Sequence, residues 1–322
     1  MKTFGLIAVL SALFIFEGTV FAQDNSSDWK LAATTDFAYY PKSDFVTGDS
    51  HFAPITGPYY TLECRETFSG TKTISVPLGD HFLLKDGNIA FVPACELTPI
   101  FIKPKFQIDY TPLPFLIFSG GASVGTGWNF FGFKGMQYLN EKTGEFDNLT
   151  TFKNLFSDIW GGVTFQFDTG ALIPGDWSHV VMQACAKFTY ESMSGIDDGD
   201  IWYWQSRFRV NGLYHSGSVT LAYQMPIALY RAGLMFEWFG YCNGNDYGKY
   251  ADSFDGEFVQ YDISLLTQWT ITQKDSLIML LNFGDQRSYA ESHDDYFDEI
   301  KLTKTGREWL FKRIVFRWVH NF

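Results

Sequence analysis

The chain has 322 residues and a net charge of −12, and only 19% of its residues are charged. This acidic balance argues against nucleic acid as a partner. Aromatic residues also make up 19% of the chain, with 33 Phe, 17 Tyr and 10 Trp, while the mean hydropathy is near zero at −0.07. Such a composition, without a long apolar segment beyond the N-terminus, favours strands whose two faces meet different surroundings.

The first predicted element is a secretory signal peptide over residues 1–22. Lys2 supplies one positive charge, and residues 5–16 form an apolar run that is too short to span a bilayer as a helix. Val20 and Ala22 stand where signal peptidase reads small residues. We therefore expect cleavage after Ala22 and one domain over residues 23–322, with an uncleaved anchor as the alternative.

Alternation with period two then recurs along the chain and predicts strands. It is clearest at residues 100–110, 180–191, 201–213 and 258–270. In the third of these segments, Trp202, Trp204 and Phe208 alternate with Arg207 and Arg209. Weaker alternation predicts strands near residues 29–40, 59–68, 72–78, 115–128, 158–169, 218–225, 233–242, 275–284 and 307–320. We count about twelve strands, with ten to fourteen compatible with the pattern.

The predicted connections are of two lengths. Short ones fall at residues 111–114, 214–217 and 272–276, and longer ones at residues 41–57, 129–157, 243–256 and 285–306. Short turns at one end and long loops at the other are typical of barrels that span a membrane. The turns at 214–217 and 272–276 cannot both lie at the same end under this assignment, so we expect an error near residues 224–233.

A soluble β-sandwich or a lipocalin-like barrel would also show period two. The position of the large aromatic residues favours the membrane, because they lie near the ends of predicted strands, as interfacial girdles do. These residues are Trp29, Tyr39, Trp128, Trp160, Trp177, Trp202, Trp238, Trp269, Trp309 and Trp318.

The last strand carries a pattern of its own. Every second residue back from Phe322 is His320, Trp318, Phe316, Ile314 and Leu310, with Lys312 as the exception. The other face holds Arg313 and Arg317. This segment resembles the terminal strand that the bacterial barrel-assembly machinery recognises, and Phe316, Trp318 and Phe322 are then the predicted assembly signal.

The leader, the aromatic strands, the glycine-rich segment 119–127 and Phe322 together resemble outer-membrane β-barrels of Gram-negative or spirochaete bacteria. The resemblance implies an all-β fold, a single transmembrane antiparallel up-and-down β-barrel of about 12 strands. It also implies location in the bacterial outer membrane, with membrane lipid and the barrel-assembly machinery as partners.

The polar faces of the predicted strands supply the candidate site residues. They carry charges of both signs with a basic excess: Lys103, Lys105, Asp109, Lys187, Arg207, Arg209, Asp262, Arg313 and Arg317. Such a set can line an aqueous path that favours anions, which predicts a porin-like channel for small, anionic solutes. The alternatives are a lumen filled by side chains in a structural or adhesive surface barrel, and a barrel lipid hydrolase.

The residues favour no enzyme and no cofactor. Barrel lipases carry a His-x-Ser pair on one strand face, whereas His215 and Ser216 are adjacent and would point to opposite faces. The four cysteines lack metal-ligand spacing, so we expect no metal site. Cys64 and Cys95 are the favoured disulfide among the pairings that four cysteines allow.

Overall fold

Twelve long antiparallel strands form one closed barrel. The computed structural model describes residues 29–322 except 42–45, 54, 56–60, 206 and 294–295. The strands are Lys30–Tyr40 (β1), Thr61–Ser75 (β2), Asn88–Thr98 (β3), Phe101–Leu113 (β4), Leu116–Gly127 (β5), Phe156–Asp168 (β6), His179–Met193 (β7), Gly212–Gln224 (β8), Leu229–Tyr241 (β9), Gln260–Thr270 (β10), Asp275–Tyr289 (β11) and Lys304–Asn321 (β12). Each strand pairs with the next, and β1 closes the ring on β12, with Phe37 opposite Phe316.

The all-β barrel predicted from the alternation is confirmed. The predicted signal peptide, residues 1–22, lies outside the described residues and stays a prediction. No helix in the described part of the chain is long and apolar enough to cross a membrane.

The outer surface of the barrel is an apolar belt. On β4, the outward side chains of Phe106 and Ile108 are 45% and 40% exposed, and Phe188 on β7 is 57% exposed. Leu234 on β9 and Trp318 on β12 continue the belt around the ring. Exposed apolar side chains over a whole barrel surface fit lipid and would aggregate in water, which argues against the soluble alternative.

The connections differ between the two ends. One end carries connections 41–60, 128–155, 194–211, 242–259 and 290–303, with a tight turn at 99–100 between β3 and β4; the other carries 76–87, 114–115, 169–178, 225–228 and 271–274. Long loops mark the extracellular end of an outer-membrane barrel. Trp29, Trp177, Trp269 and Trp318 are exposed near the opposite end, as expected of an interfacial girdle.

The predicted strand at 201–213 is wrong. Residues Trp202–Trp204 and Arg207–Arg209 form two short strands inside the long connection 194–211, and Trp202 and Trp204 are fully buried. Period two reports that a strand has two unlike faces, but it does not tell a lipid-facing strand from one that packs inside the barrel. The prediction that Trp160 belongs to the girdle is also wrong, because Trp160 points into the barrel and is 9% exposed.

Two further differences between the predicted and the observed strands account for the total of twelve. β3 was not predicted, because its inward Ala90, Val92 and Ala94 are as apolar as its outward face, so the segment shows no clear alternation. The predicted strands 59–68 and 72–78 are one strand, β2. The predicted turn at 214–217 is wrong as well, since it lies within β8, and the chain turns at 225–228 instead.

The exception at Lys312 has a structural cause. Asn282 of β11 pairs with Arg313, while the next residue, Phe283, pairs with Phe311, so Lys312 is an extra residue in the ladder. This β-bulge points Lys312 and Arg313 inward together. Upstream of the bulge the faces are exchanged, and Leu310, expected on the outer face, is buried inside.

Candidate functional site

An alternating row of charges crosses the inner wall of five neighbouring strands. This luminal ion-pair ladder consists of Arg317 on β12, Asp36 on β1, Arg65 on β2, Glu96 on β3, and Lys103 and Lys105 on β4. All of these residues fall on the inward face because each strand alternates lipid-facing and lumen-facing positions.

The ladder is closely paired. Arg317 donates to both oxygens of Asp36, from Nε at 2.6 Å and from its terminal nitrogen at 3.0 Å. Arg65 Nε donates to the same carboxylate at 3.0 Å. Lys103 Nζ lies 3.1 Å from Glu96 and Lys105 Nζ lies 3.9 Å from it. With four cations and two carboxylates, the ladder has an excess of positive charge.

The bulge in β12 brings Lys312 into contact with Asp262 of β10 and so forms a second group of charged residues on the inner wall. Lys312 Nζ donates to Asp262 at 2.6 Å. Its neighbour Arg313 donates to the Tyr40 hydroxyl at 3.0 Å, and that hydroxyl donates to Glu63 at 3.0 Å. Lys312 and Glu63 belong to the inner wall although neither was among the predicted site residues; the broken alternation at Lys312 was the available signal.

Lys187 on β7 adds a further cation to the inner wall. Its Nζ lies 4.9 Å from the centre of the Trp160 ring, and it interacts electrostatically with Asp158, Lys105 and Lys103. Asp109, also on the inner wall, accepts from Ser119 at 2.6 Å. These cations therefore face one part of the lumen, with Asp158 as a balancing carboxylate.

The position of Trp160 depends on a glycine. A Cβ on Gly121 would lie 2.4 Å from the Trp160 ring and 2.4 Å from the Phe106 carbonyl oxygen. We expect Gly121→Ala to displace the ring and to lower the free energy of unfolding by about 1–3 kcal/mol, measured by urea unfolding in detergent. Gly120→Ala is the matched control, since its Cβ would meet only an ordinary contact at 3.6 Å. Equal effects of the two substitutions would contradict the assigned contact.

The inner wall is not polar throughout. Inward side chains of β1 and of β9 to β12 form an apolar cluster: Ala38, Tyr40, Met235, Leu266, Ile278, Leu280 and Val315. On these strands the apolar side chains share the inner wall with charged ones, such as Asp36, Asp262 and Arg317.

Long loops pack together at the extracellular end of the barrel. A small sheet joins residues 207–209, 202–204, Gln137–Asn140 and Glu145–Asn148, so two long connections meet over the opening. Beneath and beside it lies the aromatic cap, the buried cluster Leu139, Ile201, Tyr203, Phe208, Val210, Tyr241, Tyr247, Phe254, Tyr289, Phe297 and Ile300. Stacked rings such as Phe208 on Tyr296, 4.4 Å between centres, make the cap dense.

Arg207 and Arg209 belong to this loop structure and not to a barrel strand. Arg209 forms an ion pair with Glu191 of β7, which also accepts a hydrogen bond from Tyr241. Arg207 stacks on the Phe239 ring, with its guanidinium carbon 4.3 Å from the ring centre. The sequence predicts that these two side chains point inward from a barrel strand. They point inward from a loop that folds into the barrel.

The alternative chemistries find little support. Ser216 points into the barrel and His215 points out of it, so they form no nucleophile and base pair. All four cysteines are free, and the predicted Cys64–Cys95 disulfide is wrong, because Cys64 is beside Phe37 and Cys95 is beside Phe68 in the ladder. Among the described residues, no group of His, Cys, Asp and Glu is arranged to hold a metal ion.

No protein-family model matches the chain, and a comparison with curated proteins finds no match. Solved structures give similarities in outline. The COG4313 outer membrane channel from Pseudomonas putida F1 shares 12% identity at a TM-score of 0.46, covering 96% of this chain and 100% of that one. The outer membrane channel DcaP of Acinetobacter baumannii is less similar, with 9% identity at a TM-score of 0.36, covering 92% of this chain and 96% of that one. The anion-selective porin from Comamonas acidovorans shares 9% identity at a TM-score of 0.33, covering 92% of this chain and 100% of that one.

The closed ring of twelve strands, the apolar belt and the charged interior have the architecture of an outer-membrane β-barrel.

Proposed function

We propose that the barrel is a porin-like channel for small anionic solutes and that its loops hold it closed in this conformation. The cationic excess of the luminal ion-pair ladder, reinforced by Lys187, carries the proposal. Rings of fixed cations lower the energy of an anion in a narrow aqueous path and raise that of a cation. Lys105 keeps 25% of its side chain exposed, so this charge reaches the water of the lumen.

The dense cap supports a second candidate, a structural or adhesive surface barrel that does not conduct. In that case the cap and the ion pairs across the wall would fill the interior for good. Conductance separates the two candidates, because only a channel passes ions when the purified protein is placed in a planar bilayer.

Charge removal tests the proposed selectivity. We expect the triple variant Lys103→Gln, Lys105→Gln and Lys187→Gln to shift the reversal potential in a KCl gradient away from anion preference, because the fixed positive charge is lost while side-chain volume is nearly kept. Lys142→Gln is the matched control, since Lys142 is exposed at the tip of a loop hairpin.

An unchanged reversal potential in the triple variant would contradict the assignment of these lysines as the selectivity-determining charges. Absence of any conductance in the native protein and in variants with shortened loops would reject the channel in favour of the structural barrel.

A further inference from the structure

A small cavity lies where the lumen meets the underside of the aromatic cap. Its volume is about 70 Å³ for the centres of water molecules, room for several waters or one small organic ion. Aromatic rings, among them Phe239, Phe254 and Tyr247, form most of its wall. The charged residues of the lining are Arg207 and Arg287, and the lining contains no carboxylate.

Arg207 is buried here without a direct ion pair, although the carboxylates of Asp262 and Glu237 attract it from a longer distance. The residue is 8% exposed, and its guanidinium has no hydrogen-bond acceptor and no ion-pair partner among the residues that the structure describes. Neither of these carboxylates pairs with it directly: Asp262 pairs with Lys312 at 2.6 Å, and Glu237 lies outside ion-pair distance of Arg207. A buried cation without a partner is costly, so a site of this kind favours an anion.

The second arginine is already held. Arg287 donates to the carbonyl oxygens of Phe254 and Asp255 at 2.5 and 2.9 Å and stacks on the Phe254 ring at 3.7 Å. It therefore adds positive potential, while its Nε and one terminal nitrogen already donate to the backbone. Arg207 stacks one face on Phe239, which leaves the edge of its guanidinium as the open donor surface.

We propose that this cavity binds a small monocarboxylate with an apolar body. The edge of the Arg207 guanidinium pairs with the carboxylate through two parallel hydrogen bonds, and the rings enclose the apolar part. The site goes beyond the proposed channel function, since binding here requires no conduction.

Calorimetric titration of the refolded full chain in detergent tests the proposal. Benzoate is the probe, and benzamide is its neutral control of nearly the same shape. We expect the native protein to bind benzoate and not benzamide. Arg207→Gln should weaken benzoate binding by about tenfold to a hundredfold, the range for a lost charge-assisted hydrogen bond, and Arg207→Lys should give an intermediate loss.

Equal binding of benzoate and benzamide, or benzoate binding that is unchanged in Arg207→Gln, would overturn the assignment. No benzoate binding by the native protein at millimolar concentration would overturn it as well. Arg207→Gln removes an unpaired buried cation, so this variant is expected to fold, and the heat-modifiable shift of the barrel on a gel checks that it does. Failure of the channel would appear as absent conductance and leave these titrations unaffected.

Discussion

Replacing residues 200–210 by a short glycine-serine linker is expected to raise the conductance of the barrel severalfold. The segment supplies Tyr203 and Phe208 to the aromatic cap, and its Trp202 is buried against Phe156 of β6. The ends of the segment need no long bridge, because Glu191 of β7 already pairs with Gly212 of β8. The barrel wall should therefore close as a hairpin while the lumen opens to the outside.

Single-channel recording in planar bilayers measures this change. A linker variant at the exposed hairpin tip 141–144 is the control, since that tip contributes nothing to the buried cap. If the 200–210 variant folds and its conductance stays at the native level, the ion pairs and the apolar cluster of the wall fill the lumen, and the structural barrel becomes the better account.

Removing the carboxylate of Asp36 is expected to give the largest loss of stability. Asp36 lies between Arg65 and Arg317 in the luminal ion-pair ladder, and all three side chains are largely buried. Asp36→Ala leaves two buried cations without their shared partner, and breaking a buried ion pair in this way costs about 3–5 kcal/mol. Urea unfolding in detergent micelles, followed by tryptophan fluorescence, measures the free energy of unfolding.

A compensating variant separates charge from packing. Without Asp36, Arg65 still has Glu96 at 3.8 Å, whereas Arg317 loses its ion-pair partner. Adding Arg317→Leu to Asp36→Ala removes this buried cation, so part of the lost stability should return. If the double variant loses as much stability as the two single variants lose together, the loss comes from packing, and the unpaired charge is not its cause.

Strands with a lipid face and a charged luminal face were predictable from the residues. In β4 and β10 the alternation of apolar and charged side chains has the same period and the same sides as the structure shows, with Lys103 and Asp262 both inward. These strands are simple because lipid and water impose opposite demands on neighbouring residues. The residue pattern does not predict β3, because its luminal face also carries small apolar residues and the alternation is lost.

Loops that fold inward are the part that residue patterns cannot place. Trp202 and Arg207 alternate as a barrel strand does, since their segment also has one apolar and one polar face, but both faces meet protein. The contact of Arg209 with Glu191 joins the loop to the luminal face of the strand that precedes it, and such a contact requires the loop to fold back into the barrel. The cavity beside Arg207 likewise arises only once three loops meet.

The β-bulge at Lys312 bears on how this strand tolerates insertions and deletions. In a regular membrane-spanning strand, loss of one residue exchanges the lipid and lumen faces of everything beyond it. Lys312 has no partner in the β11 ladder, so the chain could lose this one position and keep both halves of β12 in register. The last strand thus has one site at which its length can change by a residue without turning its terminal aromatic residues away from the lipid.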